Sequence, residues 1–220
     1  MSELRVVLNG KEASGRDGMT ILQLAEQEGV EIPTLCHSTD LHPAGVCRIC
    51  VVEVEGARAL VGSCHTPIAE GMVVHTRSAK VLAAQRAIVE LLLTSHTGSC
   101  VTDANASNCR LHKLASDLEV GPPRFQVRRR RSYPVEDTNP YVWRDLSKCI
   151  LCLKCTRACS EIARKDVLSV GYRGSRSKII VGFDEPLRVE ACRDCGICID
   201  YCPTGALRWP SELRSSHRSR

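Results

Sequence analysis

The chain is poor in the side chains that usually fill a large core. Two Phe, two Trp and four Tyr are its only aromatic residues in 220. One large packed core is therefore excluded, and the length is better divided among several small units. Long apolar runs are missing too. The richest stretch, Val81 to Thr94, is broken by Gln85, Arg86 and Glu90, well short of the roughly 18 apolar residues of a spanning helix. Met1-Ser2-Glu3-Leu4-Arg5-Val6-Val7 has no basic region leading into an apolar segment, so no secretory signal is read there and a cytoplasmic location is expected. No strand is followed by G-x-G-x-x-G, and neither a P-loop nor a nucleophile elbow occurs; the stretch Gly171 to Gly182 contains glycine but does not match a dinucleotide fingerprint. No substrate pocket is inferable from motifs.

What the chain has in excess is cysteine, 14 residues of 220. In a reducing compartment thiols at this density point to metal binding rather than to disulfides. They fall into three blocks. Cys36, Cys47, Cys50 and Cys64 form the first, Cys100 and Cys109 the second, and Cys149, Cys152, Cys155, Cys159 with Cys192, Cys195, Cys198, Cys202 the third.

Around the first block the pattern predicts a strand from Leu4 to Asn9, a turn at Asn9-Gly10, a second strand, and a helix from about Ile21 to Glu28. Thr20 with Gln23 reads as a capping box and Gly29 as the stop. Val51 to Glu55 and Ala59 to Gly62 read as a hairpin about Gly56, and Met72 to Thr76 as a further strand. This describes a small α+β sheet wrapped on one helix. From Ser78 the period turns helical, with Val81, Leu82, Ile88, Leu91 and Leu92 predicted on one face. Leu111, Leu114, Ala115 and Leu118 form a shorter amphipathic pattern, stopped by Gly121-Pro122-Pro123. The boundaries that follow are 1–78, a helical His/Cys segment at 79–122, a linker at 123–140, a last domain at 141–210, and a Ser/Arg-rich tail at 211–220 expected to be mobile.

The third block contains C-x2-C-x2-C-x3-C twice, with Pro203 after the second copy. This is the two-cluster ferredoxin spacing, in which three close thiolates hold one cubane and the fourth crosses to the other. On that rule Cys149, Cys152, Cys155 and Cys202 hold one [4Fe-4S] cluster, and Cys192, Cys195, Cys198 and Cys159 hold a second. Gly196 is expected to leave room for backbone beside a cluster. Structural zinc prefers paired C-x2-C knuckles with a longer gap, which two tandem four-cysteine runs do not match. Cys36-x10-Cys47-x2-Cys50-x13-Cys64 departs from the plant-type C-x4-C-x2-C spacing in its first gap. Its central C-x2-C and its strand–helix–loop order nevertheless suit a [2Fe-2S] cluster, with a zinc site or scattered buried thiols as the alternative. Gly45 suits a loop whose amides face that cluster. In the middle block, His96, Cys100, Asp103 and Cys109 make a candidate third [4Fe-4S] site, Asp103 offering a harder anionic donor. His112 competes for a place in it, and a degenerate site with spare thiols is the alternative reading.

With these blocks in place, the sequence resembles the N-terminal iron–sulfur region of the large cluster-carrying subunit of complex I. It also resembles the small stand-alone version in soluble NAD-linked [NiFe] hydrogenases and formate dehydrogenases, and the leader of electron-bifurcating [FeFe] hydrogenases. The likeness is carried by Ile32-Pro33-Thr34-Leu35-Cys36, by Gly45-Val46-Cys47-Arg48-Ile49-Cys50 running on to Gly56, by Gly71-Met72-Val73-Val74, and by Lys148-Cys149-Ile150 through Gly205-Ala206-Leu207. It implies a β-grasp [2Fe-2S] domain, a His/Cys segment and a C-terminal two-cluster domain. In that family the middle segment reads H-x3-C-x2-C-x5-C, so His96, Cys100 and Cys109 match and Asp103 replaces a cysteine.

The family role implied is electron relay between a flavin- and NAD(P)-binding subunit and a hydrogenase or formate dehydrogenase catalytic subunit. A free multi-cluster ferredoxin is the alternative, and a zinc-stabilised nucleic-acid module a more distant one. Nucleic acid is not expected as a partner, because Arg128 to Arg131 lacks interleaved aromatics beyond Phe125 and Tyr133; nor is direct membrane insertion. The run is read as a docking surface or a solvated linker. The formal charge of +5 does not argue otherwise. Each oxidised all-cysteine cluster adds about −2, so three bring the sum to about −1.

Overall fold

The structure is a computed structural model that describes residues 3–96, 109–125, 131–187 and 189–210. Cys100, Asp103, Arg128 to Arg130 and the tail therefore lie outside the described residues. The chain divides into two compact units, 1–37 with 43–91 and 114–124, and 38–42 with 92–113 and 125–220.

The first unit is a five-stranded sheet on one short helix. β1 (Glu3–Leu8) and β2 (Lys11–Arg16) form a hairpin in continuous register from Glu3↔Arg16 to Leu8↔Lys11. Asn9 and Gly10 turn it, both at positive φ, the geometry that a two-residue hairpin loop requires. β3 (Val51–Val54), β4 (Val61–Gly62) and β5 (Met72–His75) complete the order β2-β1-β5-β3-β4. The β1–β5 pair is parallel, and the other pairs are antiparallel. α1 (Ile21–Gln27) begins at the expected capping box: Thr20 Oγ1 accepts from the Gln23 amide, and the Gln23 side chain accepts from the Thr20 amide. Ile21, Leu22, Leu24 and Ala25 turn its apolar face onto Val6, Leu8, Val52 and Val74 of the sheet. At roughly 1.5–3 kcal/mol for each large side chain buried, this small face holds the sheet together despite the shortage of aromatics.

α2 (Ala79–Ser95) is the predicted helix with a different buried line. Leu91, placed with the apolar face by its spacing, is 52% exposed, whereas Val81, Gln85 and Val89 are buried at i, i+4, i+8. Gln85 and Glu90 go inside because each finds a partner there. Gln85 Nε2 donates to the Val51 carbonyl, and Glu90 accepts from the backbone and guanidinium of Arg124.

The second unit has little regular structure. α3 (Arg110–Asp117) starts within it. β6 (Trp143–Arg144) pairs with β9 (Leu207–Arg208), and β7 (Leu168–Gly171) with β8 (Lys178–Val181). The glycine-containing stretch from Gly171 to Gly182 is thus largely a hairpin. Three four-residue helices, α4 (Lys154–Arg157), α5 (Val189–Cys192) and α6 (Ile197–Asp200), carry cysteines, and a π-turn over Ala158–Ile162 prolongs α4. Its core mixes Val142, Leu146, Leu168, Ile179, Leu187 and Leu207 with the buried Cys155, Cys159 and Cys198. No helix of the described residues is long and apolar enough to cross a membrane.

Candidate iron–sulfur sites

In the first unit the loop over residues 28–50 brings Cys36, Cys47 and Cys50 to one end of the sheet, and the turn after β4 supplies Cys64. The Ser63 amide donates to the Cys50 carbonyl and the Ser63 carbonyl accepts from Leu22, so Cys64 is fixed between α1 and the loop. The four sulfurs meet as two pairs. Cys47 contacts Cys36, and that hydrogen bond, with burial, pushes the Cys47 thiol far above its ordinary range. Cys50 contacts Cys64, whose hydrogen bond brings Cys50 down to about 6 while Cys64 itself is raised. Two touching pairs are the arrangement that two irons with two thiolates each require, so the residues present fit a [2Fe-2S] group. Arg48, between Cys47 and Cys50, has φ +59, and the Ile49 amide interacts with the Cys47 sulfur. His65 Nδ1 lies 3.4 Å from Cys64 Sγ, a neighbour the spacing did not single out. Gly62 makes room for it: a Cβ there would stand 2.4 Å from the His65 ring.

In the second unit Cys149, Cys152, Cys155 and Cys202 line one cavity with Leu146, Ile150, Ile179 and Leu207. Cys202, from the end of the second run, thus lies in the cavity lined by the first loop. Burial pushes the Cys149 thiol up to about 11 and Cys152 to about 12, and raises Cys155 well above its ordinary value. In the second set burial raises the Cys192 thiol, with Cys159 and Cys195 adding to it. Burial raises Cys198 to about 12, with Cys192, Cys159 and Cys195 adding to it. Metal binding at these thiols must therefore release protons. The cavity of Cys149, Cys152, Cys155 and Cys202 has an almost wholly apolar lining, which suits a cubane, whereas Cys192 and Cys195 of the other set are half-buried.

The two loops share a backbone pattern. Leu151 and Leu153 have φ +55 and +61; Asp194 and Gly196, at the same offsets from the first cysteine, have +54 and +58. Only glycine takes this conformation without cost, and the non-glycine residues each store on the order of 1–2 kcal/mol. Such turns direct successive amides into a concavity that receives negative charge. The Leu151 amide donates to Cys149 Sγ at 3.4 Å, and the Val167 amide to Cys159 Sγ at 3.3 Å. Gly196 also stands against a side chain. A Cβ there would lie 1.8 Å from a Trp209 ring carbon, so the missing side chain makes room for the indole.

Of the four residues expected in the middle block, His96 and Cys109 are described. The structure brings His112 to them: one ligand atom from each of the three lies within 4.8 Å of the others. His96 Nε2 is 3.7 Å from Cys109 Sγ, and the two imidazoles stand 5.3 Å apart. Burial, then His112, pushes His96 down to about 4, leaving the neutral imidazole that binds metals.

One thiol-lined apolar cavity, a second group of four mutually interacting cysteines, and four paired sulfurs beside a small sheet together define an iron–sulfur protein of the ferredoxin-like class. Residues 2–79 match the 2Fe-2S iron-sulfur cluster binding domain, and residues 139–208 match the ferredoxin-like domain of NADH-quinone oxidoreductase subunit 3. The chain joins those two domains. It is 37% identical over 212 residues to the NADP-reducing hydrogenase subunit HndD of Solidesulfovibrio fructosivorans, covering 94% of this chain and 36% of that protein. It is 32% identical over 208 residues to the mitochondrial NADH-ubiquinone oxidoreductase 78 kDa subunit of Candida albicans, covering 94% and 28%. The chain thus spans about a third or less of the length of these relatives. A chain of the crystal structure of NAD+-reducing [NiFe]-hydrogenase in the H2-reduced state superposes with a TM-score of 0.80 at 27% identity, over 96% of this chain and 88% of that one.

Proposed function

We propose that the chain is an electron-relay subunit of a soluble, cytoplasmic multi-subunit oxidoreductase. It passes single electrons between a flavin- and NAD(P)H-reacting subunit and a catalytic subunit of the hydrogenase or formate dehydrogenase kind. One [2Fe-2S] cluster is held by Cys36, Cys47, Cys50 and Cys64. One [4Fe-4S] cluster is held by Cys149, Cys152, Cys155 and Cys202, and another by Cys192, Cys195, Cys198 and Cys159. Bound clusters of these types supply reversible one-electron chemistry. The residues around them exclude water, aim amides at sulfur and set the local charge.

The observation that carries this reading is the interleaving of the second unit's cysteines, in which Cys202 closes the cavity begun by Cys149, Cys152 and Cys155. The relatives support it in kind, since they are subunits of NAD(P)-linked hydrogenases and of complex I. The fourth cluster expected at His96, Cys100, Asp103 and Cys109 has less support, because His112 crowds the two described members of that set.

The test is anaerobic purification with iron, sulfide and EPR analysis. About ten irons per chain, with labile sulfide and signals of one [2Fe-2S] and two [4Fe-4S] centres, are expected. Reduction by NADH or NADPH should require an added flavin subunit. Zinc in place of iron, without sulfide, would overturn the reading.

A further inference from the structure

We propose that His96, Cys109 and His112 hold a single divalent zinc ion, and that the middle segment is a structural metal site rather than a fourth relay station. The argument is one of distance. Ligands on one tetrahedral zinc, with bonds of about 2.3 Å to sulfur and 2.0–2.1 Å to nitrogen, stand roughly 3.6 Å apart. His96 Nε2 and Cys109 Sγ are 3.7 Å apart, and all three ligand atoms fit within 4.8 Å. Corner ligands of a cubane sit on different irons and must be spread much further.

The rest of the chain provides its own scale. Cysteines expected to share one iron, Cys36 with Cys47 and Cys50 with Cys64, are in hydrogen-bonding contact. Those expected on separate corners of a cubane act on one another only through charge, as Cys198 does with Cys192, Cys159 and Cys195. His96 and Cys109 belong with the touching pairs, and His112 brings a ligand atom within 4.8 Å of both.

The surroundings agree. His96 is 7% exposed and Cys109 is 5% exposed, and His112 Nε2 is buried with no hydrogen-bond partner among the described residues. An orphaned buried imidazole nitrogen is costly unless something binds it. Cys109 and His112 are three residues apart at the start of α3 and so share a face. The Lys148 backbone interacts with the His96 ring, the kind of outer contact that orients a metal-ligating histidine. Two neutral imidazoles and one thiolate suit zinc's borderline softness and leave a fourth position for water or an anionic group. Such an ion ties the end of α2 to the start of α3 and transfers no electrons.

Anaerobically purified protein tests this by metal analysis and zinc-edge X-ray absorption. About one zinc per chain is expected beside the iron, with one sulfur and at least two nitrogen or oxygen neighbours. His112→Ala and Cys109→Ser should each lower zinc roughly tenfold while iron, sulfide and the cluster EPR signals stay unchanged. About fourteen irons without zinc would overturn the zinc site and leave the relay reading standing. Zinc retained in full by His112→Ala would overturn it as well. Should a variant fail to fold, the absorption spectrum of the wild-type protein decides the question alone.

Discussion

The guanidinium of Arg144 lies 2.6 Å and 2.7 Å from the two carboxylate oxygens of Glu136, and the same two residues exchange both backbone hydrogen bonds. Arg144 is 2% exposed, yet its Nε and Nη1 have no hydrogen-bond partner among the described residues. Its charge is felt in both thiol pockets. Burial raises Cys149 and Cys192, and Arg144 pulls each partly back. Glu136→Gln strands a buried cation and should cost about 3 kcal/mol, visible as a lower denaturant midpoint. Arg144→Gln removes positive charge from beside both pockets. Spectroelectrochemistry should find the [4Fe-4S] potentials shifted negative and the [2Fe-2S] potential unmoved.

The interleaved cysteines are separable by substitution. Cys202→Ser should eliminate the cluster begun at Cys149 and leave the [2Fe-2S] EPR signal at full intensity. Cys159→Ser should remove the other cubane instead. If either variant removes the [2Fe-2S] signal, the assignment of separate ligand sets fails.

Gly196→Ala places a methyl group inside the Trp209 ring and a side chain on a positive φ. Overpacking of this kind costs about 1–3 kcal/mol, and the indole must swing out. Increased exposure of Trp209 to a fluorescence quencher, with slower cluster reconstitution, is the expected result; unchanged quenching would show that the loop absorbs the methyl group.

Arg124 holds the Glu90 carboxyl below the ordinary carboxylate range through its side-chain and backbone hydrogen bonds. A depressed folded-state value means that the unfolded chain binds more protons in the acid range. The contribution is therefore complete above about pH 5 and is lost as pH falls below the unfolded value of about 4.3. Glu90→Gln should melt below wild type near neutral pH, and the difference should close towards pH 3. A difference independent of pH would assign the effect to packing.

The parts of this molecule legible in its sequence are those that rest on short spacings. Thr20 and Gln23 are three residues apart, Asn9-Gly10 is a dipeptide, and each C-x2-C-x2-C-x3-C run is local, so each was readable without knowing the fold. What escaped depends on residues distant in sequence. Gln85 and Glu90 are inside because Val51 and Arg124 receive them; polarity alone places both outside. Trp209 fills the space above Gly196, thirteen positions earlier, and Arg144 meets Leu207 in a two-residue strand too short to carry a pattern. His112 was visible only as a competitor, since nothing in the spacing measured its distance from His96.

The shared cavity of Cys149, Cys152, Cys155 and Cys202 has a consequence for how this unit can be divided. Each tandem run looks like a self-sufficient module, a duplicated piece that a gene could keep or discard singly. The walls are exchanged, however, so a cut anywhere between residues 160 and 191 leaves two fragments, neither with a complete thiol pocket. On the proposed ligand sets, the two runs assemble or fail together.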